Sequence, residues 1–221
     1  MPHLRKQLDI EEKDLWYLVG LIATDGCLSG DGRHIDITAK DFDFLDAVRG
    51  SLNVTNKIGF KVSGGGHINR RIYITNKNLY EFLLEVGLTP RKSLTLGHLN
   101  IPEHGFVDFL RGVIDGDGGI RGWIHPSNGG EQWVLRIYSA APVFTEWIKN
   151  AIETWFNVKG RVHLNKVKVF TVKFGKLAAQ RILKECYYDG CLALARKSTL
   201  AASCVASAPG WSRSKTVFAA A

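Results

Sequence analysis

The chain has 221 residues, 45% of them hydrophobic and 23% charged, which allows one large domain or two of about 100 residues, each able to bury a core without disulfides or metals. Lys and Arg number 29 against 21 Asp and Glu, a formal charge of +8 that suits a polyanionic partner. No apolar run approaches the roughly 20 residues of a membrane span, and the first residues, MPHLRKQLDIEEKD, lack the apolar stretch and cleavage site of a secretory signal; the expectation is an intracellular protein with no membrane partner.

The first predicted element is a helix over LWYLVGLIATD, nearly all apolar. Asp9 and Glu12 have the spacing of an N-cap and its partner in the first turn, and Gly26 suits a C-terminal cap. A strand pair follows, then the helix FLDAVRGSLNV (44–54). In KIGFKVS, Ile58, Phe60 and Val62 share one face of a strand and leave Lys57 and Lys61 on the other. RRIYIT places Ile72 and Ile74 inward with Arg71 and Tyr73 outward, and a further helix leads to TPRKSLTL.

The order then returns. LVGLIATDG at 18–26 recurs as LRGVIDGDG at 110–118, on a helix that starts after Pro102 and closes at Gly118 or Gly119. A strand pair leads to FTEWIKNAIETWFNV (144–158), another helix closing on Asn-Val, and the half ends in LARKSTL. In GRVHLNK the alternation buries Val162 and Leu164 and exposes Arg161, His163 and Asn165. VFTVK is ambiguous alone, but alignment with RIYIT turns Phe170 and Val172 inward and Thr171 and Lys173 outward. The fold class is therefore α+β, with two pseudo-symmetric αββαββα units over 1–95 and 96–204. A loosely ordered tail is expected over 205–221, where Arg213 and Lys215 could touch a nucleic-acid backbone. Cys27, Cys186, Cys191 and Cys204 lack metal-ligand spacing and read as buried reduced thiols.

Two features of the repeated nonapeptide are costly unless they serve contact or chemistry. Glycine inside a helix costs about 1 kcal/mol relative to alanine, yet Gly20 and Gly112 hold the same place in both copies. With Thr24 and Gly116 one turn on, they offer a small-residue face on which two helices can approach closely and join the halves. Each helix also ends in an aspartate, Asp25 or Asp117, where the helix dipole disfavours a carboxylate by about 0.3–1 kcal/mol. A divalent cation reverses that sign, because carboxylates and nearby main-chain oxygens, here of Thr24 and Gly116, are the hard donors that Mg²⁺ prefers. Ordinary Asp-Gly turns are the alternative, against which the matched second copy weighs.

The paired motif, over about residues 10 to 200, resembles the LAGLIDADG homing endonucleases in their monomeric two-motif form. The resemblance implies two antiparallel sheets forming a saddle over the DNA major groove. Central motif helices would carry Asp25 and Asp117 as catalytic and metal-binding residues that cut both strands across the minor groove. Asp115 matches an acidic position that is Ala23 in the first copy and is not expected to be essential. Lys92 and Lys197 fall where the family often keeps a basic residue near the active-site solvent, and are expected to hold or polarise the nucleophilic water; phosphate-contacting or solvated lysines are the alternatives. Where some members carry glutamine this chain has Ala39 and Ser139, which puts the ordering of that water in doubt. Mg²⁺, or another divalent cation such as Mn²⁺, is the expected cofactor, with Ca²⁺ able to bind without supporting cleavage.

Recognition is expected from the outward sheet faces. Arg71, Arg121, Arg136, Arg161, Lys57, Lys61 and Lys173 can reach guanine edges or phosphates, and Gln132 and Asn165 suit adenine. Tyr73, Trp123 and His163 can pack on sugars or thymine methyls, and Ser29, His34, His125 and Thr171 complete the candidate contacts. Asp36, matched by Arg136, can accept from cytosine or orient a basic neighbour. The unequal halves imply a long, asymmetric double-stranded target. Rival readings are an RNA-splicing maturase bound to its host intron and a non-cutting regulator on the same fold.

Overall fold

A computed structural model of the chain describes residues 9–62 and 65–208. The elements are α1 (Glu12–Thr24), β1 (Gly26–Leu28), β2 (His34–Ala39), α2 (Phe42–Ser51), β3 (Ile58–Val62), β4 (Ile68–Thr75) and α3 (Lys77–Val86). A 3-10 turn at Glu103–Gly105 then opens the second series. That series comprises α4 (Phe106–Asp117), β5 (Gly118–Ile124), β6 (Glu131–Ser139), α5 (Pro142–Phe156), β7 (Arg161–Leu164), β8 (Phe170–Gly175), α6 (Lys176–Cys186) and α7 (Ala195–Ala206). The αββαββα order holds in both halves. Two antiparallel four-stranded sheets result, β1-β2-β4-β3 and β5-β6-β8-β7.

Register makes the halves equivalent. Gly26 pairs with Ile37 and Ile37 with Ile72 in one sheet, as Gly118 pairs with Ile137 and Ile137 with Val172 in the other. Because strand side chains alternate, this register sends Ile35, Ile37, Ile72 and Ile74, and likewise Leu135, Ile137, Val172 and Phe174, to the helix-covered side, where all are buried. α1 and α4 lie against each other at the middle: Leu15 to Ala23 are buried in α1, nearly all apolar, and Asp108 to Asp115 in α4, where buried Arg111 pairs with Asp108 at 2.6 Å. One hydrophobic cluster runs through both halves. The repeated Asn-Val has a backbone cause, since Asn53 and Asn157 both take left-handed φ, +50° and +48°, beyond the last helical turn, a conformation asparagine tolerates.

Several local expectations are corrected. Asp9 and Glu12 form no capping pair: Glu11 occupies the N-cap position of α1 without a side-chain hydrogen bond, and Asp9 accepts from Asn53 Nδ2 at 3.0 Å instead. Gly26 is not a left-handed cap; the helix closes on Asp25 at φ −89° and the chain turns straight into β1. Glycine is needed there because a Cβ would lie 2.6 Å from Ile22 Cα, and at Gly118 one would lie 2.6 Å from Ile114 Cα. Val162 and Leu164 are exposed, not buried, at 36% and 58%, and Phe60 and Val62 are likewise open. β3 and β7 are edge strands, with a neighbouring strand on one side alone; Arg70 lies over Phe60, its guanidinium 4.3 Å from the ring centroid. Thr171 is buried at 7% although it points outward, between Tyr138 and His163 on the neighbouring strands. Cys186 and Cys204 are buried thiols, but Cys27 is exposed.

The repeated Arg-Lys-Ser lies in a turn in the first half and on α7 in the second. Pro90 precedes the first copy, whereas Ala-rich sequence surrounds the second, which is enough to decide between turn and helix. No helix among the described residues is long and apolar enough to cross a membrane. α7 extends to Ala206, into the stretch expected to be tail; Arg213, Lys215 and the first residues of the chain lie outside the described residues.

Candidate metal centre and nucleic-acid interface

The centre begins with two glycines. A Cβ on Gly20 would collide with the Phe109 carbonyl oxygen and stand 2.8 Å from Val113 N; one on Gly112 would collide with the Tyr17 carbonyl oxygen and stand 2.7 Å from Leu21 N. Only hydrogen at both places lets the backbones meet. One turn on, a Cβ at Gly116 would strike Thr24 Oγ1 and come within 3.5 Å of Asp25 Cγ, so the first-half aspartate lies over the last turn of α4. The close approach read from the sequence is thus present, and it brings the two acidic helix ends together.

Asp25 and Asp117 are exposed on the surface so formed, yet crowded by protein. Burial of the carboxylate environment and then the negative charge of Asp117 push Asp25 up to about 6, against the pull of Lys197, Arg196 and Lys92. Burial also raises Asp117, opposed by Lys197 and Lys92. Burial raises both, and repulsion by Asp117 adds to the rise of Asp25: two anions are held close together where they are poorly solvated. Among the described residues no cluster of three or more His, Cys, Asp or Glu side chains is placed to hold an ion. An ion between the helix ends would therefore take two carboxylates, main-chain oxygens and water, a donor set that fits Mg²⁺. The Thr24 hydroxyl is turned inward, donating to Gly20 O at 3.2 Å and Leu21 O at 3.0 Å, so only its carbonyl is a candidate. Gly116 O already accepts from Lys197 Nζ at 3.0 Å and has one lone pair to spare.

The two lysines are neither solvated nor free for phosphate. Lys92 is 5% exposed and donates to Gly26 O at 2.5 Å; Lys197 is 4% exposed and donates to Ile114 O and Asp115 O at 2.6 Å as well as to Gly116 O. Lys197 caps the last carbonyls of α4, sharing Ile114 O with Gly118 N, the favourable place for a cation on the helix dipole, and Lys92 holds the carbonyl of Gly26, the first residue of β1. Burial lowers both lysines, Lys197 to about 8. Their charges still act on both aspartates.

Asp115 has a structural task, in keeping with its absence from the first copy. It is 2% exposed and accepts from Tyr17 Oη at 2.8 Å, Tyr187 Oη at 2.7 Å and Leu194 N at 2.7 Å, tying α1, α4 and the segment before α7 together. Each catalytic candidate opens into its own cleft. Asp25 faces one of about 620 Å³ walled by Thr38 to Asp41 and by Arg196; Asp117 faces one of about 120 Å³ walled by Tyr138 to Ala140 and by Lys92 and Ser93. Ala39 and Ser139, the positions without glutamine, stand in these walls, and Ser139 Oγ is engaged with Ala141 N at 3.1 Å. Sequence reasoning missed Arg196, which lies 3.7 Å from Asp41 across the first cleft; the signal was the arginine of the twice-occurring Arg-Lys-Ser, from which only the lysine was taken.

The outward faces carry most of the expected contacts. On the first sheet, Asp36 is buried beneath Lys61 and Arg71, accepting from them at 2.8 and 2.9 Å. It orients basic neighbours and is not open to a cytosine. His34 pairs with Asp31 and stacks on Tyr73 at 4.7 Å between ring centroids. Lys57 stands exposed just before β3, and Ser29 lies in the β1–β2 turn, its carbonyl taken by Tyr80 Oη. The second face presents Arg121, Trp123, Gln132, Arg136, Arg161, His163 and Lys173 by the alternation of β5 to β8. His125 sits in the β5–β6 turn against Ser127. Asn165 is a turn residue: its Oδ1 accepts from Val167 N at 3.1 Å and Val169 N at 2.8 Å, which removes the acceptor that bidentate adenine reading needs.

Residues 12–87 match a family model described as a LAGLIDADG-like domain. Among solved structures the chain is similar to the homing endonuclease I-WcaI bound to its DNA recognition sequence, at 12% identity over 82% of this chain and 84% of that one, with a TM-score of 0.60. It is similar to the LAGLIDADG homing endonuclease I-GzeII in complex with its DNA target, at 10% identity over 86% and 88%, TM-score 0.57. Full-length DUF199/WhiA from Thermatoga maritima matches at 13% identity over 90% of this chain and 62% of that one, TM-score 0.57, so this chain spans under two thirds of its length. No curated protein is close enough in sequence to match. At these identities the likeness is one of fold, and the two-sheet α+β architecture with two central motif helices is that of the LAGLIDADG proteins.

Proposed function

We propose that this LAGLIDADG-fold chain is a site-specific DNA endonuclease that acts as a monomer and hydrolyses both strands of a long, asymmetric duplex target with divalent metal. The reading rests on one observation: two helices packed through Gly20 and Gly112 bring Asp25 and Asp117 to a shared, poorly solvated surface. Two anions so placed weaken the fold unless a cation joins them. Mg²⁺ bound there would supply a Lewis acid and an activated water for phosphodiester hydrolysis. The carboxylates of Asp25 and Asp117 would hold it, with the main-chain oxygens of Thr24 and Gly116 beside them. Lys92 and Lys197 position the helix ends and add positive potential where phosphate charge develops, while the two basic sheets seat the duplex by its major groove and leave the minor groove between them over the two aspartates. The DNA complexes of I-WcaI and I-GzeII, on the same fold, support that partner.

Binding without cutting is the second reading, favoured by the commitment of both lysine ammoniums to main-chain carbonyls, which leaves water ordering to other groups. A cleavage selection on a randomised DNA library with Mg²⁺, repeated with Asp25→Asn and Asp117→Asn, separates the two. The expected result is double-strand cutting by the wild type and its loss in either variant with binding nearly intact; undiminished cutting by either variant overturns the assignment, and wild-type binding without Mg²⁺- or Mn²⁺-dependent cutting selects the second reading. A host-intron RNA competitor, run alongside, reports whether RNA shares the sheets.

A further inference from the structure

The two sheets agree in register but not in charge. On the first, Asp36 lies under Lys61 and Arg71, and the Arg71 guanidinium also covers the Tyr73 ring at 4.6 Å. On the second, the position of Asp36 is taken by Arg136: where Asp36 faces Cys27 and Tyr73, Arg136 faces Gly119 and Lys173, and Lys173 faces Arg161. Three cations thus stand side by side across β6, β8 and β7. Among the described residues no carboxylate pairs with Arg121, Arg136, Arg161 or Lys173, and Arg136 Nε is buried without any hydrogen-bond partner. Like charges directly opposite each other on a sheet oppose folding, and a buried donor without an acceptor does the same. The first sheet has removed both defects with one carboxylate, while the second has kept them.

We infer that Asp36 and Arg136 divide DNA binding unequally between the halves. The second sheet supplies most of the electrostatic hold, with the Arg136–Lys173–Arg161 row taking phosphate oxygens. Asp36 withholds Lys61 and Arg71 from phosphates and fixes them for reading base edges. The inference rests on the DNA reading above and adds a polarity to it: one half grips and the other discriminates.

Binding of the full-length chain to a mixed-sequence duplex, followed against salt in metal-free buffer, tests it. Each phosphate neutralised contributes about 0.9 to the slope of log affinity against log salt, so Arg136→Gln, Arg161→Gln and Lys173→Gln together should flatten the slope by about 2.7. Lys61→Gln with Arg71→Gln should flatten it by less than about 1, and Asp36→Asn, which frees two cations, should steepen it by up to about 1.8. Melting curves show which variants remain folded; the Lys61/Arg71 pair, whose side chains are partly exposed, gives the first-half result even if Asp36→Asn disturbs its sheet. Equal loss per cation from the two faces, or a steeper loss from the first, overturns the inference while leaving DNA binding established. A wild type whose binding to duplex does not respond to salt overturns the DNA reading itself.

Discussion

Three aspartates within the second motif helix and its partner show how little residue type says about role. Asp115 is enclosed by three donors, whereas Asp25 and Asp117 face outward, with no hydrogen-bond donor against their carboxylates among the described residues. Removing a buried acceptor strands its donors, so Asp115→Ala should lower unfolding free energy by about 2–4 kcal/mol, read by urea denaturation, with metal affinity little changed. Asp25 behaves in the opposite sense. Its ordinary value is 3.8 and its folded value about 6, so the native state binds the extra proton between those limits. The stability it contributes is present below pH 3.8 and is lost as pH rises through about 6. In metal-free buffer at pH 7.5, Asp25→Asn should therefore raise the melting temperature, by about 2–4 °C after allowance for solvent screening at an exposed group, and the gain should vanish near pH 4. Pattern alone separated Asp115 from the others, through Ala23 at its matched position. The clasp of Asp36 was not legible, because Lys61 and Arg71 lie 25 and 35 residues away and meet it only through strand register.

Elements were legible where the chain repeats them and illegible at their margins. The helix pair announced itself by glycine at matched places, and the close contact that explains it is backbone to backbone. A methyl group there has no flexible neighbour to displace. Gly112→Ala, which by helix propensity alone would stabilise α4 by about 1 kcal/mol, should instead cost about 3 kcal/mol and, on the proposed nuclease function, cut metal-dependent activity by separating the aspartates. Chemical denaturation that finds the variant as stable as the wild type would contradict this account. Edge strands misled the reading for a different reason. Alternation reports which residues share a face, not whether a helix covers that stretch of the face, and at Val162, Leu164 and Phe60 none does. The cap at Gly26 misled it too, while closure of α4 at Gly118 held; both glycines are dictated by clearance over the preceding helical turn and not by left-handed backbone.

At the scale of the molecule, one hydrophobic cluster joins two repeats that each resemble a domain. A segment limited to 1–95 would leave the buried side of α1, from Leu15 to Ala23, without α4. It should pair with its own copy through Gly20, which sedimentation or light scattering would detect; a folded monomer would show that the halves do not depend on each other. The intact chain should by the same reasoning unfold in a single transition. The net charge of +8 was enough to suggest a polyanion, yet its distribution between the sheets became visible only with the pairing of strands.

The junctions at Gly26 and Gly118 carry one more implication. Each aspartate is the last joint between a helix locked at the molecular centre and a strand of the outer sheet, with no slack residue between them. Any tilt of a sheet is therefore geared to the spacing of the carboxylates. On the proposed nuclease function, a duplex whose curvature fails to seat both sheets at once would be gripped yet leave the pair out of alignment, so fidelity would be enforced by mechanical leverage in addition to the letters of the target.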